Sequence, residues 1–199
     1  MTAPCQESCP VGNPIPQFMY LASEDRYDEA LQALLKENPF PGICGRVCIH
    51  PCEPDCNRSQ YDEPVSIRNL ERHVFDRALH QLPQVEPLSG EHSRNIAIVG
   101  SGPAGLSCAY FLRLLGHRAT VFESKKEPGG VMRWGIPDYR LPKRVLRKEI
   151  KRLFDLGIKI NTGVQVGKDI SWAELGHFDS IFPLQAQGST SHWESRAKN

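Results

Sequence analysis

The stretch NIAIVGSGPAGLSCAYFLRLLGHRATVFES, residues 95–124, decides the fold of this chain. A short apolar run at 96–99 predicts a strand, and a glycine-rich turn separates it from an apolar run of helical length at 106–115. A second apolar strand is predicted at 119–122 and is closed by Glu123. Strand, turn, helix and strand in this order indicate a βαβ unit with a parallel sheet.

The turn carries the pattern G-x-G-x-x-G in Gly100, Gly102 and Gly105. The first glycine permits a tight turn, the second leaves room for a pyrophosphate, and the third lets helix and strand pack closely. The helix N-terminus offers free N–H groups to phosphates, and Glu123 is predicted to accept a hydrogen bond from a ribose hydroxyl. This acid disfavours a 2′-phosphate, so FAD or NAD is favoured over NADP, with a purely structural glycine turn as the alternative.

The cysteines form a second pattern. Seven are present, and six lie within the first 56 residues. The run CGRVCIHPCEPDC, residues 44–56, has a cysteine at every fourth position, but Pro51 and Pro54 interrupt a helix, so we expect a loop that folds back on itself. The N-terminus lacks the basic and apolar regions of a signal peptide, which favours metal or cluster ligation over disulfides. Zinc held by four thiolates is one alternative.

Composition narrows the function further. The 199 residues carry a net charge of +1, which gives no electrostatic case for binding nucleic acid or an acidic membrane. The apolar runs are too short to span a membrane, and we expect a cytoplasmic protein.

The chain divides into parts of different pattern. Residues 1–82 are predicted to be helical, with one helix capped at Ser23 and a second opening at Pro64. Residues 83–94 are predicted to be a linker, and residues 95–182 a nucleotide-binding domain.

Other segments resemble one protein family. The segments are GGVMRWGIPDYRLPKRVLRKEI, NPFPGICGRVCIHPCEPDC, VSIRNLERHVFD and IAIVGSGPAGLSCA. Together they are similar to the flavin half of the family that includes the small subunit of NADPH-dependent glutamate synthase, its ferredoxin:NADP oxidoreductase relatives and the N-terminal part of dihydropyrimidine dehydrogenase. The resemblance runs from about Cys5 to Phe182 and implies an α+β chain, in which an all-helical iron–sulfur domain precedes an incomplete α/β Rossmann-like FAD domain.

The resemblance also implies a flavin site. FAD phosphates would lie at the glycine turn and the ribose at Glu123, with contacts to the flavin from further residues. NADPH would bind a second nucleotide fold, inserted later in the family pattern. The alternative for Arg140 is a solvated cation, and for the two valines a place in the core. The implied contacts are Gly100, Ser101, Gly102, Pro103, Ala104, Gly105, Glu123, Val131, Arg140 and Val166.

Two [4Fe–4S] clusters are implied as well. CQESCP resembles the end of the ferredoxin run C-x₂-C-x₂-C-x₃-C-P, whose two leading cysteines would lie before Met1. The resemblance favours clusters over zinc and leaves Cys44 and Cys108 as packed thiols. For Glu71, the alternative is a solvated carboxylate paired with Arg68 or Arg72. One cluster would be held by Cys9, Cys48, Cys52 and Glu71, and the other by Cys5, Cys56 and the two further cysteines.

The implied function is electron input. Electrons would pass from NADPH through FAD and the clusters to a partner, which is expected to be the large subunit of glutamate synthase. A ferredoxin-linked or bifurcating NAD(P)H oxidoreductase subunit is the first alternative, and an inactive gene fragment the second.

The last residues depart from the family pattern. Relatives continue with L-A-T-G and a segment resembling L-G-I-P-G-E, whereas residues 183–199 read PLQAQGSTSHWESRAKN. Permissible codons for these residues, read from the third base, encode LASPGEHIPLGIPGEE. We therefore expect this tail to be irregular and out of frame, and the NADPH site to be absent from this chain.

Overall fold

The glycine-rich stretch folds as its pattern predicts. In the computed structural model, which describes residues 2–78 and 93–184, strand β1 (Asn95–Val99) is followed by helix α6 (Pro103–Leu114) and strand β2 (Arg118–Glu123). Gly116 ends the crossover with φ +86°, a conformation that glycine adopts without strain. The predicted βαβ unit is confirmed.

A four-stranded parallel sheet is built on this unit. Its strand order is β3–β2–β1–β4, with β3 at Lys159–Thr162 and β4 at Ser180–Pro183. In β1, Ile96, Ala97, Ile98 and Val99 are all buried, as expected of an inner strand covered on both faces. The structure also has α7 at Val131–Trp134, α8 at Lys143–Asp155 and a 3-10 helix at Glu174–His177.

The N-terminal part is helical. It contains α1 (Pro4–Glu7), α2 (Ile15–Ser23), α3 (Tyr27–Leu35), α4 (Pro41–Val47) and α5 (Ile67–Arg77), with a 3-10 helix at Asn57–Gln60. Its core is formed by Phe18, Leu31, Leu34, Val74 and Phe75, each at most 2% exposed. An all-helical part therefore precedes a part in which helices and parallel strands alternate, and the predicted α+β fold class is confirmed.

Two local predictions in the helical part were wrong. Ser23 does not cap α3 but is the last residue of α2, where its hydroxyl donates to the Tyr20 carbonyl at 2.7 Å. Cys44 lies inside α4, because Pro41 starts that helix and the helix-breaking prolines come only later. Turns follow from Cys48 onward, so only that part of the 44–56 run is a folded-back loop.

The chain separates into two compact units. One comprises residues 1–84 with 137–149, and the other comprises 85–136 with 150–199. The predicted boundaries at 82 and 95 placed 137–149 with the nucleotide-binding part and stay predictions. The predicted linker falls almost wholly outside the described residues, as does the tail from 185 onward. Pro183, predicted to begin the irregular tail, is instead the last residue of β4, and the Leu184 amide donates to the Val99 carbonyl at 2.8 Å.

None of the helices in the described ranges has the length and apolar character to cross a bilayer.

Candidate functional site

The three glycines of the turn occupy three different environments. Gly100 has φ +109°, and its amide donates to the Phe122 carbonyl at 2.8 Å, which ties the turn to β2. A Cβ on Gly105 would lie 2.0 Å from the Gly100 carbonyl oxygen, so only glycine fits there. A Cβ on Gly102 would meet nothing within 4 Å. The open side of Gly102 therefore leaves space for a ligand at the start of α6.

The start of α6 supplies hydrogen-bond donors. Gly102 is its N-cap, and the Leu106 amide donates to the Gly102 carbonyl at 3.0 Å. The amides of Ala104 and Gly105 precede that bond, so they belong to the donors that a helix cannot satisfy internally. Phosphates bind such helix ends because the N–H groups and the helix dipole both favour negative charge. The residues present thus fit a dinucleotide phosphate.

Glu123 braces the turn. One carboxylate oxygen accepts from the Ser101 amide at 2.9 Å and from the Ser101 hydroxyl, and the other accepts from the Lys125 amide at 2.8 Å. Burial raises the pKa of Glu123, but the hydrogen bonds from Ser101 and Lys125, with that from the Ser124 hydroxyl, outweigh burial and hold the pKa below its ordinary value. The carboxylate is therefore an anion fixed beneath the turn, and its contact with a ribose stays a prediction.

A second pair of glycines closes over the first turn. The Gly129 amide donates to the Ser101 carbonyl at 3.0 Å, and a Cβ on Gly130 would lie 2.6 Å from Gly102 Cα. Arg133 is 9% exposed and holds this loop by donating to the Pro128 carbonyl at 2.7 Å. No site role was predicted for Gly129, Gly130 or Arg133, although adjacent glycines are a turn signal.

The remaining predicted flavin contacts are spread over the structure. Val131 begins α7 and is 58% exposed. Val166 is buried in an apolar cluster with Ala97, Val99, Phe122 and Leu175, which favours the core alternative for this valine. Arg140 is exposed, and its amide donates to the Pro137 carbonyl at 3.0 Å. Flavin contacts by these three residues stay predictions.

Five cysteine thiols of the helical part influence one another electrostatically. Burial raises the pKa of the Cys5 thiol, and Cys56 and then Cys9 raise it as well. Burial, with smaller contributions from Cys9 and Cys48, raises the pKa of Cys52 to about 12. Cys9 acts on both Cys5 and Cys52, so the five thiols are neighbours of one another, and their division between two clusters stays a prediction.

A single-ion site is not formed by these groups. Within residues 2–78 and 93–184, no three His, Cys, Asp or Glu side chains converge closely enough to hold one metal ion. An iron–sulfur cluster distributes its protein ligands over several iron atoms, so its thiolates need not converge on one point. The donors present, several thiols and one buried carboxyl, are of the kind that holds such a cluster.

Cys44 has a different environment from the other cysteines of its run. Its thiol donates weakly to Asn38 Oδ1 at 3.7 Å. Burial, with a smaller contribution from the Glu71 carboxyl, raises its pKa to about 12. The principal polar neighbours of Cys44 are thus a carboxyl and an amide, which favours the prediction that it is a packed thiol.

Glu71 is buried and amide-bound. It is 6% exposed, and its Oε1 accepts from Asn38 Nδ2 at 2.9 Å and from Asn13 Nδ2 at 3.4 Å. Burial raises the pKa of Glu71 to about 8, while the two amide bonds act in the opposite direction.

The solvated alternative for Glu71 was wrong. The guanidinium group of Arg68 donates to the Cys48 carbonyl at 3.3 Å, and Arg72 pairs with Asp76 at 3.7 Å. The two arginines thus serve other partners, and the Glu71 carboxyl lies in the interior.

Two family profiles match the chain. Residues 1–82 match the dihydropyrimidine dehydrogenase domain II, 4Fe-4S cluster, and residues 98–165 match the NAD(P)-binding Rossmann-like domain. The first covers the thiol groups and Glu71, and the second covers the glycine turn and Glu123.

Curated relatives match most of the chain. It is 40% identical over 186 residues to the NADPH-Fe(3+) oxidoreductase subunit beta of Geobacter sulfurreducens, covering 91% of this chain and 28% of that protein. Identity is 36% to the NADP(+)-dependent formate dehydrogenase subunit beta of Moorella thermoacetica, covering 92% and 29%. Identity is 37% to the glutamate synthase [NADPH] small chain of Mycobacterium tuberculosis, covering 94% and 38%. The chain is related to these oxidoreductase subunits. The predicted family resemblance is confirmed. The chain spans between 28% and 38% of the lengths of these relatives.

Proposed function

We propose that this chain belongs to the electron-input part of an NADPH-dependent flavin and iron–sulfur oxidoreductase. The observation that carries the proposal is the presence, in one chain, of grouped thiols in a 4Fe-4S domain and of a glycine turn open at Gly102. When bound, a flavin converts hydride chemistry into single-electron steps, and clusters carry the single electrons onward. The electrons would leave for the active site of a partner subunit.

The chain's own residues would bind and orient these groups. The amides at the start of α6 hold phosphate, and the absent side chain of Gly102 lets it approach. Glu123 fixes the turn through Ser101, while the Gly129–Gly130 loop covers it. One cluster would be held by Cys9, Cys48, Cys52 and Glu71, and Cys5 and Cys56 would contribute to another.

The partner we propose is a glutamate synthase large subunit, because a glutamate synthase small chain is among the relatives. A second candidate is an iron- or formate-linked oxidoreductase, favoured by the two β-subunit relatives. A ferredoxin-linked or bifurcating enzyme belongs to the same class. We place the protein in the cytoplasm, since all seven cysteines are unpaired, as a reducing compartment would keep them. An inactive gene fragment is the remaining alternative.

The test is anaerobic reconstitution of the 199-residue chain with iron, sulfide and FAD. We expect bound iron and sulfide with the visible absorption of an iron–sulfur protein. Cys52→Ser should lose this absorption, whereas the matched control Cys44→Ser should retain it. Recovery of zinc in place of iron, or loss of iron in Cys44→Ser, would overturn the cluster assignment. Equal iron binding by wild type and Cys52→Ser would do so as well.

A further inference from the structure

A buried polar cluster lies beside Cys44 in the helical unit. It consists of Asn13, Asn38 and Glu71, which are 5%, 1% and 6% exposed. The three residues come from separate parts of the helical unit, namely the segment before α2, the segment after α3, and α5 itself. Burying three polar side chains is costly unless they satisfy one another, so their convergence calls for an explanation.

Asn38 is held at both ends of its amide. Its Nδ2 donates to Glu71 Oε1 at 2.9 Å, and its Oδ1 accepts from the Phe40 amide at 2.9 Å and from the Cys44 thiol at 3.7 Å. The side chain therefore cannot rotate without losing backbone and side-chain bonds together. It presents a fixed donor to the carboxylate.

Asn13 is only half satisfied. Its Nδ2 reaches the same oxygen of Glu71 at 3.4 Å, while its buried Oδ1 has no hydrogen-bond partner. A buried acceptor without a partner is rare in folded proteins, because its lost hydration is not replaced. An apolar residue would fill this position without that cost. The amide is thus better explained by what it does to Glu71 than by its own bonding.

Helix packing brings the segment that carries Glu71 against the end of α4. A Cβ on Gly45 would lie 2.7 Å from the Arg72 amide nitrogen, so α4 and α5 approach at backbone distance. One turn before Arg72, the Arg68 guanidinium donates to the carbonyl of Cys48, which follows α4 directly, at 3.3 Å. The part of α5 that contains Glu71 therefore lies against the helix end from which the cysteine loop departs.

We propose that Asn13 and Asn38 are positioning residues that hold the Glu71 carboxylate as the oxygen ligand of the cluster bound by Cys9, Cys48 and Cys52. The inference rests on the proposed function, in which Glu71 is a cluster ligand. Two donors on one oxygen restrict rotation of the carboxylate and compensate its burial. Neither asparagine touches the cluster, and each acts through Glu71.

The experiment compares Asn13→Ala and Asn38→Ala with wild type in the reconstituted 199-residue chain. The readouts are retention of iron against a chelator and the electron paramagnetic resonance spectrum of the reduced cluster. Loss of such supporting residues weakens metal binding by about 10- to 100-fold, and we expect a loss in that range together with altered g values. The matched control is Asn69→Ala, because Asn69 is an exposed asparagine of α5 that bonds Ser66.

Two further variants separate positioning from a structural role. Asn38→Asp keeps an acceptor for the Phe40 amide but replaces the donor to Glu71 with a second acid. Circular dichroism checks that this variant folds, and the folded variant should still have an altered spectrum. In a Glu71→Cys background, Asn38→Ala should no longer affect the cluster, because the thiolate does not need the amide. Wild-type protein without a cluster would refute the proposed function. Unchanged spectra in all asparagine variants, or equal losses with and without Glu71→Cys, would refute the positioning role alone.

Discussion

A Cβ placed on Gly45 would lie 2.7 Å from the backbone nitrogen of Arg72 and 2.8 Å from its Cα. The obstacle is backbone, which cannot move as the end of a flexible side chain can. Helices α4 and α5 therefore pack at a distance that only glycine permits. The contact links the cysteine-bearing helix to the helix that carries Glu71.

Gly45→Ala is predicted to destabilise the helical unit. Alanine would improve helix propensity by about 1 kcal/mol, but forcing two backbones apart should cost about 1–3 kcal/mol or more. Urea unfolding of the chain should show a lower midpoint. Gly176→Ala is the control, since a Cβ there would meet nothing within 4 Å. A midpoint for Gly45→Ala at or above that of wild type would contradict the packing described.

Gly102→Ala is predicted to lower FAD affinity, and Gly105→Ala to lower the stability of the fold. The added methyl at 102 points into open space, so stability should change little while FAD affinity falls. The methyl at 105 would collide with the Gly100 carbonyl, so the fold itself should weaken. Thermal unfolding without flavin and quenching of flavin fluorescence measure the two effects separately. Unchanged FAD binding in a folded Gly102→Ala chain would show that the FAD phosphates do not bind at this turn.

The βαβ unit and the Ser23 cap show what the sequence could and could not predict. The βαβ unit is local, because strand, turn, helix and strand follow one another between residues 95 and 123, and each boundary has its own glycine or apolar signal. Ser23 failed as a cap because the preceding segment forms its own helix, α2, which the periodicity argument did not include. Local patterns were reliable where no competing element lay next to them.

Glu71 marks the limit of such reasoning. Its burial depends on amides 58 and 33 residues away in sequence, and no spacing rule connects them. The resemblance indicated a role for this residue, but only the folded structure shows that Asn13 and Asn38 hold it. The mutual influence of thiols as far apart in sequence as Cys5 and Cys56 is likewise a product of tertiary packing.

Glu123→Gln is predicted to destabilise the nucleotide-binding unit in a pH-dependent way. The folded pKa of Glu123 is depressed from its ordinary value of 4.5, so its charged form contributes stability above that value and loses it as pH falls through the folded pKa. The loss in the variant should be about 1.5–3 kcal/mol at pH 7, as for a hydrogen bond to a charged group. The difference from wild type should shrink below about pH 4.5. Urea unfolding at pH 7 and pH 4 measures the difference in unfolding free energy between wild type and variant. A difference that grows on acidification would contradict the stabilising role of the Glu123 carboxylate.

NADPH oxidation is predicted to be absent from the 199-residue chain. The chain contains one G-x-G-x-x-G turn, and the acid beneath it disfavours a 2′-phosphate. A dye-reduction assay with NADPH as donor should remain at the background of protein-free controls, even after FAD is added. Turnover of NADPH above that background would contradict this prediction.

Iron stoichiometry provides the last prediction. Of the ligands that the family pattern implies, Cys9, Cys48, Cys52 and Glu71 form a complete set of four, whereas Cys5 and Cys56 are two. A cubane cluster is held by four ligands, so we expect about four iron atoms per chain after anaerobic reconstitution. Glu71→Cys should retain this iron, because thiolate is the commoner ligand, and should shift the reduction potential because the donor atom changes from oxygen to sulfur.

The controls for this count are cysteine variants. Cys48→Ser should lose the iron, because it removes a member of the complete set. Cys56→Ser should leave the count near four, because the family pattern assigns Cys56 to the other cluster, together with Cys5. Iron and sulfide analysis with Mössbauer spectroscopy distinguishes one cluster from two. Eight iron atoms in wild type, reduced to four in Cys56→Ser, would show that Cys5 and Cys56 support a second cluster within these residues. A count below four in Cys56→Ser would mean that Cys56 and the cysteines of the complete set act as one site.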